Sequence, residues 1–173
     1  MTHTLRLATV DDLDAVRALA ASCLPASDPT VDAPLDGELV ESVSSGRVHI
    51  ADEDGTIVGM LRSEAIGDDH VQLALLAVEP EYRRRGIGRS LVRAAVSDAR
   101  ALVPGSPVTA TVHAGNVAAV ALLASEGMFP RRGIRDYAGH GRDRLYCQFV
   151  DRNQATVDAG HRVLVPATAT GHL

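Results

Sequence analysis

Val78-Glu79-Pro80-Glu81-Tyr82-Arg83-Arg84-Arg85-Gly86-Ile87-Gly88-Arg89-Ser90-Leu91-Val92 is the stretch that decides the fold. An apolar strand ending at Val78 runs into an Arg/Gly loop that opens directly into a helix. Gly86 and Gly88 lack Cβ atoms, so the backbone can turn tightly and present its N–H groups to an anion, and the new helix adds the positive end of its dipole. The segment therefore reads as a pyrophosphate cradle. Two rival phosphate motifs are missing: there is no third glycine for a dinucleotide fingerprint and no Gly-Lys-Ser/Thr for a P-loop.

Working outward, the chain alternates strand and helix signals. Leu5–Leu7 reads as a strand, and Thr9 caps the following helix with Asp12 answering from the third position. Leu13, Val16, Ala20 and Leu24 recur at helical spacing. Pro25 to Pro34 carries three prolines and two aspartates and reads as a loop, followed by a short helix from about Asp36 to Ser44. Arg47–Ala51 and Thr56–Arg62 flank Asp52-Glu53-Asp54-Gly55, whose Asp-Gly step predicts a hairpin. His70–Val78 has the apolar character of a central strand. The helix from Gly88 to Leu102 places Leu91, Val92, Ala95, Ala99 and Leu102 on one face. Val108–Val112 is a further strand. Ala114-Gly115-Asn116 starts a very apolar helix that stops at Gly127. Two strands follow between Phe129 and Val150, the last over Arg144–Phe149.

Composition bounds the rest. With 173 residues, 46% of them hydrophobic and 23% charged, the chain has the size and balance of one globular domain. One domain is expected over residues 1–150, with 151–173 as a loosely held extension in which Val163–Val165 forms an optional extra edge strand. The formal charge of −5 argues against nucleic acid as a partner, so Arg83-Arg84-Arg85 reads as a local anion site. No run of roughly 18 apolar residues marks a membrane span, and no signal pattern opens the chain; the expected location is cytoplasmic. Cys23 and Cys147 read as reduced packing residues, and no spacing predicts a metal site.

Three segments resemble the GNAT superfamily of acetyl-CoA-dependent N-acetyltransferases. Arg83-x-x-Gly86-x-Gly88 matches its cofactor loop, and Asn116-Val117-Ala118-Ala119 through Gly127-Met128 is similar to its Asn-x-x-Ala helix. Arg135-Asp136-Tyr137 through Asp143 resembles the Tyr-x-x-Gly-x-Asp segment of the amino-terminal protein acetyltransferase branch. The resemblance implies a mixed, mostly antiparallel sheet flanked by helices, with a splayed parallel pair formed by His70–Val78 and Val108–Val112. It also implies acetyl-CoA as co-substrate, without a metal. Arg83, Arg84, Arg85, Gly86, Ile87, Gly88, Arg89 and Ser90 would hold the pyrophosphate, with backbone groups of Leu76, Ala77 and Val78 along the pantetheine arm, and Asn116 and Ala119 beside it.

In the family a backbone N–H, here near Val78, polarises the thioester carbonyl, while glutamates on the splayed strands and a tyrosine on the later helix handle protons. This chain has Gln72, Thr111 and Leu123 at those places, none an acid or base near neutral pH. Two readings stay open. One is a working transferase, monomeric or dimeric, that acetylates a small-molecule or peptide amine with water, His113 or Tyr137 carrying the proton. The other is an acyl-CoA-binding sensor with little turnover. Tyr137 reads equally as a pocket wall, and His113 as a strand-end histidine bonded to a loop.

Overall fold

A computed structural model describes residues 3–23, 35–137 and 139–151. The expected loop from Pro25 to Pro34, Leu24, and the extension with its Val163–Val165 run lie outside the described residues. The strands are β1 (Thr4–Leu7), β2 (Val48–Glu53), β3 (Thr56–Ile66), β4 (His70–Val78), β5 (Val108–His113), β6 (Met128–Ile134) and β7 (Arg144–Phe149). The helices are α1 (Leu13–Cys23), α2 (Leu35–Ser44), α3 (Ile87–Leu102) and α4 (Val117–Ser125), with single 3₁₀ turns ahead of α1 and after β4.

The strands form one sheet in the order β1-β2-β3-β4-β5-β7-β6. Every pairing is antiparallel except β4 with β5. This is the expected mixed α/β architecture, and its local causes are visible. Arg6 pairs with Asp12 at 2.7 Å while Thr9 N–H donates to the same carboxylate at 2.8 Å, so the turn into α1 is tied to β1. The hairpin closes with Glu53 opposite Thr56. Its two loop residues take φ of +54° at Asp54 and +83° at Gly55, the left-handed pair a two-residue turn requires.

The core lies on both faces of the sheet. On one, α3 and α4 bury Ile87, Leu91, Val92, Ala95 and Leu123 against Val58, Leu73, Val108, Ala110 and Val112. On the other, α1 and α2 bury Val16, Leu19, Leu39 and Val43 against Val48, Ile50, Met60 and Ala77. Arg89 and Arg93 on α3 both reach Glu126 at 3.1 Å, just past the end of α4; its side chain is only 7% exposed, so the two helices are clasped by a largely desolvated carboxylate.

One glycine sets how closely α3 approaches the sheet. A Cβ on Gly59 of β3 would lie 2.8 Å from Ile87 Cγ2 and 3.2 Å from Leu91 Cδ1. The first turn of α3 thus rests directly on the β3 backbone. Nothing in the sequence pattern distinguished Gly59 from an ordinary strand glycine.

Candidate active site

The site begins where β4 and β5 part. They pair only at Val71 with Val108, Gln72 with Thr109 and Leu73 with Ala110. At the closed end His70 Nε2 and Thr109 Oγ1 lie 2.7 Å apart, joining the two strands through side chains. Burial drives the His70 pKa below its usual value and that of Tyr146, which also bonds Thr109, above its own, since it disfavours the charged form of each ring.

A β-bulge opens the gap. On the other edge of β4, Arg62 faces Leu75 while its neighbour Ser63 faces Leu73, leaving Ala74 as an extra residue. An inserted residue bends the strand and reverses the alternation beyond it. Before the bulge, Val71 turns its N–H to the β5 side, donating to Pro107 at 3.1 Å. After it, Glu79 N–H donates across to Val58 at 3.0 Å, so the backbone groups of Leu76 and Val78, three and one residues before, face the open side. Ala77 lies opposite Met60 and directs its backbone toward β3.

The gap widens into a cavity of about 770 Å³ lined by Ala74, Leu75 and Leu76 from β4, Ala110 to His113 from β5, and Asn116, Ala119 and Leu123 from the α4 side. Its two walls differ in chemistry. Residues packed toward α3 and α4, such as Leu73, Val92, Ala110 and Leu123, are apolar. The opposite wall carries Thr111 and His113, with Cys23 at the end of α1, Arg142 in the loop before β7 and Arg144 at its first residue.

The anion cradle adjoins the same edge. Arg83 Nε donates to Val78 C=O at 2.9 Å, folding the loop back on β4. Arg84 and Gly86 take φ of +66° and +85°. Helix α3 closes its first turn with Ser90 N–H on Gly86 C=O at 3.0 Å, so the N–H groups of Ile87, Gly88 and Arg89 precede the first intrahelical bond and point out of the helix end. A Cβ at Gly88 would sit 3.1 Å from Leu122 Cδ2 and 3.9 Å from the side chains of Leu76 and Val78, which puts this helix end beside the open strand edge. The Arg89 side chain is engaged by Glu126, leaving its backbone as the group it can offer an anion. Arg85 stacks over Tyr82 at 4.8 Å.

Asn116 caps α4, its Oδ1 accepting from Ala119 N–H at 3.1 Å. That bond uses the Ala119 donor, and both residues line the cavity. His113 accepts from Gly115 N–H at its Nδ1, 3.0 Å away. A neutral ring in this state carries its proton on Nε2, and a base role would require breaking the Gly115 bond. Tyr137 is 55% exposed and is not among the cavity-lining residues. The aligned positions Thr111 and Leu123 do line the cavity, whereas Gln72 sits in the paired segment opposite Thr109. Among the described residues no carboxylate lines it. Just beyond Val78, Glu79 accepts from Ser22 on α1 at 3.2 Å.

The sequence reading missed Cys23, Arg142 and Arg144 as lining residues. Their proximity is tertiary, and the only local signal was the Gly-Arg-x-Arg ending of the segment after Tyr137.

A strand edge exposed by a bulge thus runs beside a helix end with unpaired N–H groups, an arrangement suited to an extended ligand with an anionic end. Residues 13–128 match the family model described as the acetyltransferase (GNAT) family, and the chain belongs to that family. A mycothiol acetyltransferase of Rhodococcus erythropolis is 42% identical over 77 residues, which are 44% of this chain and 24% of that protein. A mycothiol acetyltransferase of Mycolicibacterium vanbaalenii is 31% identical over 119 residues, covering 64% and 38%. The chain thus spans well under half the length of these relatives. Among solved structures, Arabidopsis thaliana Naa50 in complex with a bisubstrate analogue, CoA-Ac-MVNAL, aligns with a TM-score of 0.71 at 18% identity, over 87% of this chain and 100% of that one. The ribosomal-protein-S18-alanine N-acetyltransferase from Escherichia coli gives 0.69 at 20% identity, over 86% and 93%. At these identities the shared property is the fold. No helix among the described residues is long and apolar enough to cross a membrane.

Proposed function

We propose that this protein is an N-acetyltransferase that moves an acetyl group from acetyl-CoA to a primary amine by direct attack in a ternary complex. The observation that carries this reading is the open edge of β4 at Leu76 and Val78 lying against the α3 helix end. The cradle from Arg83 to Ser90 takes the pyrophosphate, the Leu76 and Val78 backbone pairs with the pantetheine amides, and Asn116 and Ala119 flank the arm. The thioester then lies in the cavity, where an N–H of the Leu76–Val78 edge stabilises the oxyanion. In comparable sites such a donor supplies about 3–4 kcal/mol. The amine nitrogen bonds to the carbonyl carbon, the carbon–sulfur bond breaks, and the proton lost by the amine passes through water to the departing thiolate, which leaves as the thiol.

With no carboxylate on the described walls, positioning carries much of the rate. His113 serves as a donor through Nε2 in its neutral, Gly115-bonded form. The same lack of carboxylates supports the second reading, an acyl-CoA sensor with little turnover. Calorimetry with acetyl-CoA, followed by thiol release against a panel of amines and peptides, separates the two. Tight binding with steady turnover of some acceptor is expected; binding with no turnover across the panel favours the sensor, and no binding at millimolar concentration removes both. The acceptor of the mycothiol acetyltransferases is not carried over, because the match covers a minority of their length.

A further inference from the structure

Resting on the transferase reading, we propose that the acceptor carries a carboxylate beside its amine, and that Arg142 is the residue that reads it. The polar wall of the cavity carries two arginines and, among the described residues, no carboxylate. His113 stands opposite Arg144 across the β5–β7 pair, so the two side chains share a face, and Arg142 lies two residues earlier on the same approach. Nη1 of Arg142 is buried with no hydrogen-bond partner among the described residues. A buried guanidinium N–H left unmatched is costly, and a bound anion is the group that would satisfy it.

The loop's own carboxylates are occupied elsewhere. Asp143 accepts from Asp136 N–H at 3.0 Å, and Asp136 accepts from Gly141 N–H at 2.6 Å. Arg142 N–H donates to Gly139 at 3.0 Å and Ala114 N–H to Asp143 C=O at 2.9 Å, which anchors the loop to the end of β5 and fixes where the Arg142 side chain starts. A chain of net charge −5 therefore keeps a cationic wall at its reaction cavity.

This wall also bears on proton transfer. Positive charge near an amine favours its neutral, nucleophilic form, which helps a site that has no carboxylate base. The same charge repels lysine-rich acceptors, and a carboxylate on the acceptor offsets the repulsion while leaving the amine free to attack.

The test uses the full chain and two matched ligand pairs. One is a short peptide with glutamate against glutamine at its second residue; the other is a free amino acid against its carboxamide. Each is measured for affinity to the CoA-loaded protein and for kcat/KM with acetyl-CoA. The carboxylate member of at least one pair is expected to be favoured by about 10–100-fold, mainly through affinity and KM, the range of a charge-assisted hydrogen bond. Which pair shows it tells whether the anion belongs to a side chain or to the amino acid itself. Arg142→Ala should bring that ratio close to one and Arg142→Lys restore part of it, with acetyl-CoA affinity reporting that both variants are folded. Equal or reversed preference in both pairs overturns the proposal, as does a ratio untouched by Arg142→Ala. Discrimination in binding without any turnover would support the anion subsite while removing the transferase reading beneath it.

Discussion

Gly59→Ala is the substitution that tests how the fold holds the cofactor cradle. The new methyl would lie 2.8 Å from Ile87 Cγ2 and 3.2 Å from Leu91 Cδ1. Ordinary carbon contacts are about 3.5–4.0 Å, so the shortfall is close to 1 Å. Neither neighbour is a flexible chain end: Ile87 is β-branched and both are at most 2% exposed. The relief available is for the first turn of α3 to lift off β3, carrying the Ile87, Gly88 and Arg89 N–H groups with it. Overpacking of this kind costs about 1–3 kcal/mol, from which the reduced unfolded-state entropy of alanine returns about 0.4–1 kcal/mol. A net loss of roughly 0.5–2 kcal/mol lowers Tm by roughly 2–8 °C in a chain of this size. Misplacing a binding group by about 1 Å also weakens acetyl-CoA, by an expected tenfold or more. Thermal denaturation and calorimetry measure both. Gly133→Ala is the control, since no heavy atom lies within 4 Å of its new Cβ and its φ needs no glycine; it should stay within about 0.5 kcal/mol of wild type. Wild-type Tm and acetyl-CoA affinity in Gly59→Ala would refute the reasoning, and lost stability with intact affinity would show that α3 repacks without moving the cradle.

Gly88→Val should abolish measurable acetyl-CoA binding, because its Cβ already sits 3.1 Å from Leu122 Cδ2 and the added methyls fill the approach to the helix end; calorimetry decides. His113→Ala is expected to lower kcat/KM modestly while leaving the pH–rate profile in place, tracking the acceptor amine; loss of a rise centred near the ordinary histidine value of about 6.5 would restore a base role. Asp12→Asn should cost about 0.5–1 kcal/mol at pH 7, discounted for the exposure of Arg6. Since bonding to Arg6 holds the Asp12 carboxyl well below its ordinary range, this contribution is complete above that range and fades as pH falls through the lowered native pKa, so wild-type and variant melting temperatures should converge in strong acid. A difference that stays constant down to that limit would contradict the assignment.

Local chemistry was legible because it acts over a few residues. The Asp54-Gly55 turn, the Thr9–Asp12 cap, the Asn116 cap and the glycines at 86 and 88 each answer a nearby backbone demand, and all stand in the structure where the sequence put them. The order of elements was legible for the same reason, since hydrophobic period and breakers are read in short windows. What the tertiary structure alone decided depends on residues distant in the chain. The bulge at Ala74 is visible only against β3, yet it turns the Leu76 and Val78 backbone to the open side. Gly59 matters because α3 arrives from about thirty residues away. Cys23, Arg142 and Arg144 line the cavity from α1, the loop before β7 and β7 itself, and the tautomer a neutral His113 takes depends on where Gly115 points its N–H. The sequence by itself determined that this chain folds in the acetyltransferase manner, with a glycine-bearing loop opening into a helix after the central strand; long-range packing decided which side chains face the cavity, because closing a sheet brings together residues whose separation along the chain carries no local signal.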